Sequence, residues 1–478
     1  MRIVIGCDTF PPDINGAARF AERLAGGLVR RGHEVHIIAP AYSKVHGRFI
    51  ESHDGVDMIV HRIRSFRWYP HATLRYVWPW TFQKHANRLI ANINPDAVHS
   101  QSQLIVGRYL SRAAKKHGVR LIATNHIMPE NLIRYTVVIP SWFKKTAMRL
   151  AWLDAGRVLR LADYVTTPTR RAAELLEAAS GLTGVLAISC GIDASKFANT
   201  NPTSNKPPRV LFVGRLDFEK HIHNLLKAVA SLPAELGVLV EIVGDGSERK
   251  SLTALATDLG IAKSVTFLGH VTEEELPLAY ERATVFAMPS IAELQSIATM
   301  EAMASGRPVV AADAMALPHL VHDGDNGYLF SPDDVEMFAD RLNRIFTADE
   351  AELERLSENS LHLIQAHDIN RTLDIFENLY RGEDSGDSTT DDNLEAYDQP
   401  IGQLNEILHN RVLQLRQAAR DLREAATGLR EKASDRFEEV QERLDDLRDE
   451  VVEGVRRAGK KVKRSMKKAA ENFKATDE

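Results

Sequence analysis

Along roughly the first 380 residues of this 478-residue chain, short apolar runs alternate with amphipathic helical stretches. The alternation breaks near residue 200 and then begins again. In the first half, "RIVIGCD" reads as a buried strand, a helix runs from about Ala17 to Arg31, and Gly32 ends it. "EVHIIAP", "DAVHSQ", "VRLIATNH" and "DYVTTPT" are the strands that follow. The polar, proline-rich "NTNPTSNKPP" marks a linker. Beyond it come "RVLFVGRL", "VLVEIVGDG", "SVTFLGH", "ATVFAMPS", "RPVVAAD" and "GYLF". Short strands separated by helices require crossover connections, so each half forms a parallel sheet covered on both faces. The predicted fold class is α/β, with two Rossmann-like doubly wound parallel-sheet domains over residues 1–200 and 201–365. "DINRTLDIFENLYRG" reads as a closing helix at 366–383. Open sheets of this kind take ligands beyond their strand C-termini, here in a cleft between the halves.

The remainder has a different texture. Residues 384–400, "EDSGDSTTDDNLEAYDQP" with its flank, are acidic, poor in hydrophobes and expected to be a disordered linker. From Ile401 to the end, apolar or alanine positions recur in steps of three and four averaging about 3.6, the mark of one long amphipathic helix. Leu408, Leu415, Leu422 and Leu429 keep a heptad, so 401–432 could pair as a coiled coil and make an oligomer. Between Gly454 and Ala470 lie Arg456, Arg457, Lys460, Lys461, Lys463, Arg464, Lys467 and Lys468 with no acid. That stretch suits an anionic membrane surface, with a solvated partner helix as the alternative.

Bulk composition narrows the classes. A net charge of −5 gives no general reason to expect nucleic acid. Two cysteines, Cys7 and Cys190, cannot staple a chain of this size, and they suit a reducing cytoplasmic setting, with peripheral attachment to the inner face of the plasma membrane through the tail. No run of 18 apolar residues predicts a span.

The residues with chemistry sit in loops after strands. In "AELQSIATMEAMASGRPV", Glu293 lies just past the strand "ATVFAMPS" and a helix starts near Gln295 or Ser296. Free amides at a helix start attract a phosphate. Glu301, further along that helix, can accept from the vicinal hydroxyls of a ribose, and Glu293 from those of a second sugar. The same spacing also fits a capping carboxylate and a solvated glutamate. In "VLFVGRLDFEKHIHNLLKA", Arg215 and Lys220 follow a strand and precede a helix, where two cations can neutralise a diphosphate. The plainer alternative is a surface loop in which Lys220 pairs with Glu219 or Asp217. Asp323-Gly324-Asp325 is a DxD string, but it precedes Asn326-Gly327 and a strand and reads as a turn, not a metal site.

Taken together, "GRLDFEK", "ELQSIATMEAMASGRPVVAAD", "FPPDINGAARFAERLAGGLVRRGHEVHIIAP", "SCGIDASKF", "VTFLGHV" and "HDGDNGYLF" resemble the retaining glycosyltransferases of family four, which have GT-B architecture. The resemblance spans about residues 1–380. It implies transfer of a hexose from a nucleotide diphosphate sugar, of UDP-glucose or GDP-mannose type, with retention and without a metal; the nucleotide sugar is a substrate and no cofactor is implied. It implies that Arg215 and Lys220 bind the diphosphate, Glu301 the ribose and Glu293 the donor sugar, with backbone amides of Leu294, Gln295 and Ser296 around sugar and phosphate. Gly16 would let the first helix approach the phosphate, His126 would lie near the donor sugar, and Gly269, His270 and Val271 would face the base. Taken alone, His126 fits equally a satisfied structural side chain. Arg19 would be an anion contact for the acceptor. The chain departs from the family pattern at Leu294-Gln295, at Cys190 where asparagine is usual, and at His221 and Ile222 where glycines follow the phosphate lysine. A lipid or glycan acceptor, specifically a membrane glycolipid precursor, would suit the basic tail. A GT-B sugar-nucleotide epimerase and a non-catalytic coiled-coil scaffold with a sugar-nucleotide head are the alternatives.

Overall fold

The computed structural model describes residues 1–13, 15–67, 75–127, 144–198 and 207–383. The chain divides into the units Met1–Asp391 and Asp392–Glu478. The readings made for the linker near residue 200, for 384–400 and for the 401–478 helix lie outside the described residues.

The first half contains an eight-stranded sheet in the order β10-β9-β8-β7-β1-β2-β4-β3. Its strands are β1 (Arg2–Gly6), β2 (Glu34–Pro40), β3 (Gly47–His53), β4 (Val56–Ile63), β7 (Ala97–Ser100), β8 (Arg120–Thr124), β9 (Tyr164–Thr167) and β10 (Leu186–Ala187); β5 (Ser65–Arg67) and β6 (Arg75–Val77) form a separate small pair. The second half contains a six-stranded sheet in the order β13-β12-β11-β14-β15-β16. These strands are β11 (Arg209–Val213), β12 (Leu239–Val243), β13 (Val265–Gly269), β14 (Val285–Met288), β15 (Val309–Ala312) and β16 (Gly327–Phe330). Central strands are buried on both faces. Ile3, Val4 and Ile5 of β1 have no exposure, nor do Val285, Phe286 and Ala287 of β14. This is why they read as unbroken apolar runs rather than alternating ones.

The sheets are not wholly parallel as expected. β3 runs antiparallel to β4, with Phe49 opposite Val60. The turn between them holds Asp54 at φ 47° and Gly55 at φ 73°, two consecutive left-handed residues of the kind a two-residue hairpin requires.

In each sheet the first strand pairs on both sides in parallel: β1 with β2 and β7, β11 with β12 and β14. The chain therefore winds outwards in opposite directions from β1 and from β11. Loops leaving the two central strands splay apart there and open a crevice at the strand C-termini.

The closing helix, Ile369–Arg381, returns to the first half. The Phe376 ring lies 5.9 Å from Phe20 and 4.9 Å from His99. Tyr380 hydroxyl and His99 Nδ1 are 2.7 Å apart, and Arg31 donates to Asp374 at 2.6 Å. The chain thus crosses between halves twice, and the crossings run side by side. Ile192 N–H donates to the His367 carbonyl at 2.8 Å, and Ile369 N–H to the Ile192 carbonyl at 3.0 Å. Gly191 makes this possible. Its φ is +69°, and a Cβ there would come within 2.7 Å of Thr372 Oγ1 and 2.9 Å of Ile369 Cα. Left-handed geometry costs an L side chain about 1–2 kcal/mol before any clash. Gly191→Ala is expected to destabilise the protein by about 2 kcal/mol or more, read as a fall in Tm. An unchanged Tm would show that the crossings are loosely packed.

Candidate active site

The helix Gly16–Arg30 follows β1 through a loop of two prolines, and Asn15 caps it, its Oδ1 accepting from Ala18 N–H at 2.9 Å. The helix Ile297–Ala304 follows β14, and Ser296 caps it by accepting from Thr299 N–H. The opening residues of these two helices meet. A Cβ on Gly16 would sit 3.9 Å from Ile297 Cδ1, in ordinary contact. Two positive helix ends, one from each half, therefore share one place.

The loop after β11 and the loop after β14 are stitched together by their backbones. Ile291 N–H donates to the Glu219 carbonyl at 3.1 Å, and Ser290 Oγ to the same oxygen at 3.3 Å. This brings Lys220 into an ion pair with Glu293, both largely buried. Arg215 pairs with Asp217 and, at 3.3 Å, with Glu219. The alternative partners considered for Lys220, Glu219 and Asp217, belong to Arg215 instead. Lys220 and Glu293 thus meet just ahead of the Ser296 helix start, while Arg215 is held within the β11 loop by Asp217 and Glu219.

Glu301 is buried one turn into that helix. Its Oε1 accepts from Arg23 Nη2 at 2.6 Å and its Oε2 from Tyr280 hydroxyl at 3.0 Å. It is not the solvated glutamate of the simpler reading. Arg23 comes from the other half, on the Gly16 helix, four residues after Arg19. Arg19 also reaches across, donating to Glu273 at 2.6 Å as well as to Glu22 at 3.2 Å. Glu273 follows the His270 and Val271 loop, which leaves β13 at the left-handed Gly269; His270 is exposed and Val271 half-buried. Arg19, for which the family resemblance implies an acceptor contact, is here engaged by two acids.

Leu294 and Gln295 bind the halves together. The Leu294 carbonyl accepts from Thr169 Oγ1 at 2.9 Å. The Gln295 side chain turns into the crossover: its Oε1 accepts from Cys190 N–H at 2.7 Å, and its Nε2 donates to Ser189 Oγ at 3.1 Å. Ser189 Oγ also lies 2.9 Å from His367 Nδ1. Cys190 contributes its amide; burial pushes its thiol up to about 12. His126 sits on the first-half side, Nε2 2.9 Å from Gln101 Oε1 and its ring 5.0 Å from Phe20. Burial lowers its pKa to about 4, so it is neutral at physiological pH. At His221 the backbone adopts φ 46°, the left-handed conformation that glycine supplies without strain.

Arg23, Tyr280, Thr169 and Ser189 were not singled out from the sequence. For Arg23 a signal existed, because it repeats Arg19 at i+4 on the helix that begins at Gly16. The Asp323-Gly324-Asp325 string is a turn. Gly324 N–H donates to the Gly327 carbonyl at 2.8 Å, and Asp323 Oδ1 accepts from Leu329 N–H at 2.8 Å. Among the described residues there is no cluster of three or more His, Cys, Asp or Glu able to hold a metal ion, and no helix long and apolar enough to cross a membrane.

Two facing sheets with a helix-lined crevice at their switch points define the GT-B fold of glycosyl transfer. The sequence matches the family descriptions "Glycosyltransferase Family 4" over residues 14–196 and "Glycosyl transferases group 1" over 193–362. It is 31% identical over 327 residues to a GDP-mannose-dependent alpha-mannosyltransferase of Mycobacterium tuberculosis (strain CDC 1551 / Oshkosh), covering 66% of this chain and 79% of that one. It is 27% identical over 348 residues to an alpha-monoglucosyldiacylglycerol synthase of Streptococcus pneumoniae (strain ATCC BAA-255 / R6), covering 69% and 75% respectively. Among solved structures, sucrose-phosphate synthase from Thermosynechococcus elongatus superposes with a TM-score of 0.65 at 20% identity, over 80% of this chain and 98% of that one. The chain belongs to glycosyltransferase family four. It is a retaining hexosyltransferase that draws its sugar from a nucleotide sugar.

Gln295→Leu strips Cys190 N–H and Ser189 Oγ of a partner in a buried place. A loss of about 1–3 kcal/mol is expected, measured as a lower urea midpoint. Gln295→Glu, which keeps an acceptor for the Cys190 amide, should lose less; equal losses would show that the amide bond is not what matters.

Proposed function

We propose that the chain transfers a hexose from a donor of UDP-glucose or GDP-mannose type to a membrane glycolipid precursor. The donor half is supported by the Lys220 and Glu293 pair just ahead of the capped Ser296 helix start, with Arg215 on the same loop as Lys220. Arg215 and Lys220 hold the diphosphate, helped by amides of Leu294, Gln295 and Ser296 and by the Gly16 helix end. Glu301 takes the ribose and Glu293 the hydroxyls of the donor sugar. His126, neutral, lies to the sugar's side, and the Gly269 to Val271 backbone faces the base.

The chemistry follows from those placements. The bond from the anomeric carbon to the phosphate oxygen breaks, and its electron pair stays on the diphosphate. An acceptor hydroxyl oxygen attacks on the face the phosphate leaves, and its proton passes to the departing phosphate oxygen. No side-chain nucleophile is needed. The main demand is to hold the growing negative charge, and fixed cations and helix amides meet it without reorganising. Asp217 and Glu219 neutralise Arg215, and Glu293 neutralises Lys220, so both cations are held in place by neighbouring acids.

The lipid-linked acceptor is supported by the basic stretch 454–470 and by the similarity to an enzyme whose name specifies diacylglycerol. Attachment is then peripheral, on a cytoplasmic membrane face.

Lys220→Ala and Glu293→Ala are each expected to lower kcat by about 100-fold or more while the variants remain folded at the assay temperature, checked by circular dichroism. Near-normal turnover with the preferred donor would remove these residues from the site. In flotation with phosphatidylcholine vesicles, adding phosphatidylglycerol should bring the full chain up with the lipid, and a chain ending at residue 400 should stay behind. Equal flotation of both would rule out the tail as the anchor.

A further inference from the structure

We propose that Arg23, supplied by the first half, completes the ribose subsite in the second half and sets the preference for ribonucleotides over 2′-deoxyribonucleotides. The inference rests on the placement of the donor's ribose at Glu301. A carboxylate offers about four lone-pair sites. In Glu301 one on Oε1 is taken by Arg23 Nη2 and one on Oε2 by Tyr280 hydroxyl. One site on each oxygen remains, and a vicinal diol needs two. Arg23 and Tyr280 therefore orient Glu301 without filling it.

Neither support is free to wander. Tyr280 has no exposure, and its ring is packed 5.8 Å from Phe286 and 5.8 Å from Phe197. The Arg23 side chain is only 18% exposed in its pair with Glu301. Its second nitrogen, Nη1, is buried with no hydrogen-bond partner among the described residues. A buried charged donor left without an acceptor is costly. A ribose hydroxyl that donates to Glu301 presents its oxygen as that acceptor. Guanidinium suits this because its planar fork can hold the acid with one nitrogen and face the sugar with the other, whereas an ammonium cannot do both in fixed geometry.

The arrangement also fits the length of a nucleotide. Gly16 and Ile297 meet where the two helices begin. Arg23 is about 10 Å further along one helix, and Glu301 about 6 Å along the other. A diphosphate at the helix starts leaves the ribose beside the Arg23 and Glu301 pair. Arg23 belongs to the first half and Glu301 with Tyr280 to the second, so the subsite is whole only when the halves are together.

The test is calorimetric titration of the full-length protein with UDP and with GDP. The tighter of the two is then compared with its own 2′-deoxy form. Wild type is expected to bind the ribonucleotide at least about tenfold more tightly, because a site built for a hydroxyl rejects the analogue lacking it. Arg23→Gln should weaken the ribonucleotide by about tenfold or more and the deoxynucleotide by less than about threefold, so that the preference collapses. A merely structural role would weaken both alike and leave the ratio intact, and that result overturns the inference. A wild type that does not discriminate overturns it too. If Arg23→Gln fails to fold, Arg23→Lys and Tyr280→Phe take its place, each expected to reduce the ratio; an unchanged ratio in both sinks the proposal. Should wild type bind neither UDP nor GDP, the donor assignment itself falls, which is a different result from binding with an unaltered ratio in the variant.

Discussion

The site depends on one constraint, the way the chain passes twice between its halves. The Ser189 to Ile192 segment and the His367 to Ile369 segment pair through backbone hydrogen bonds, with a left-handed glycine where side chains would collide. The donor loop joins this crossing through Gln295. The spacing between the Gly16 helix and the Ile297 helix is therefore set where the polypeptide itself changes sides, and not by surface charge alone. Cross-cleft ion pairs, Arg19 with Glu273 and Arg23 with Glu301, act on an arrangement the covalent chain has already restricted. Surface pairs of the first kind contribute little on their own. The second kind is buried, and losing either partner would leave an uncompensated charge.

The parallel topology accounts for why so few residues do so much. Each central strand releases its chain at the same sheet edge as its neighbour. The loop after β11 and the loop after β14 are far apart in sequence, yet they are bonded to each other through Ile291 and Glu219. Lys220 and Glu293 meet as a consequence. A chain with these residues but another strand order would scatter them.

The central strands of both halves, β1 and β14 among them, were readable because they are buried on both faces and so read as apolar runs. The hairpin of β3 and β4 was not singled out, although Asp54-Gly55 between two alternating runs is the local sign for one. Its half-exposed edge strand, with Arg48 and Glu51, lacks the apolar run by which the others were found. In the candidate site, Arg215, Lys220, Glu293 and Glu301 were singled out from their loops and the helix start. Their partners were not. That Arg215 rather than Lys220 takes Asp217 and Glu219 depends on how the loop before the Phe218–Lys220 3-10 turn aims each side chain. Tyr280 sits on a short helix with nothing nearby in sequence to connect it to Glu301, and only the packing of that helix against the next strand brings the hydroxyl in. Gln295 stood out as a departure from the family pattern, but its sequence context could not show that its amide faces the crossover.

The two thiols carry a practical consequence. Cys7 and Cys190 are both buried, and burial with little compensating positive charge keeps them protonated. A thiol that does not ionise is a poor nucleophile toward alkylating reagents. The native chain is therefore nearly silent to maleimide dyes, and a cysteine introduced on the surface of each half would take label without interference. Distances between two such labels would report the breathing of the crevice in solution, from a protein whose own sulfur chemistry stays out of view.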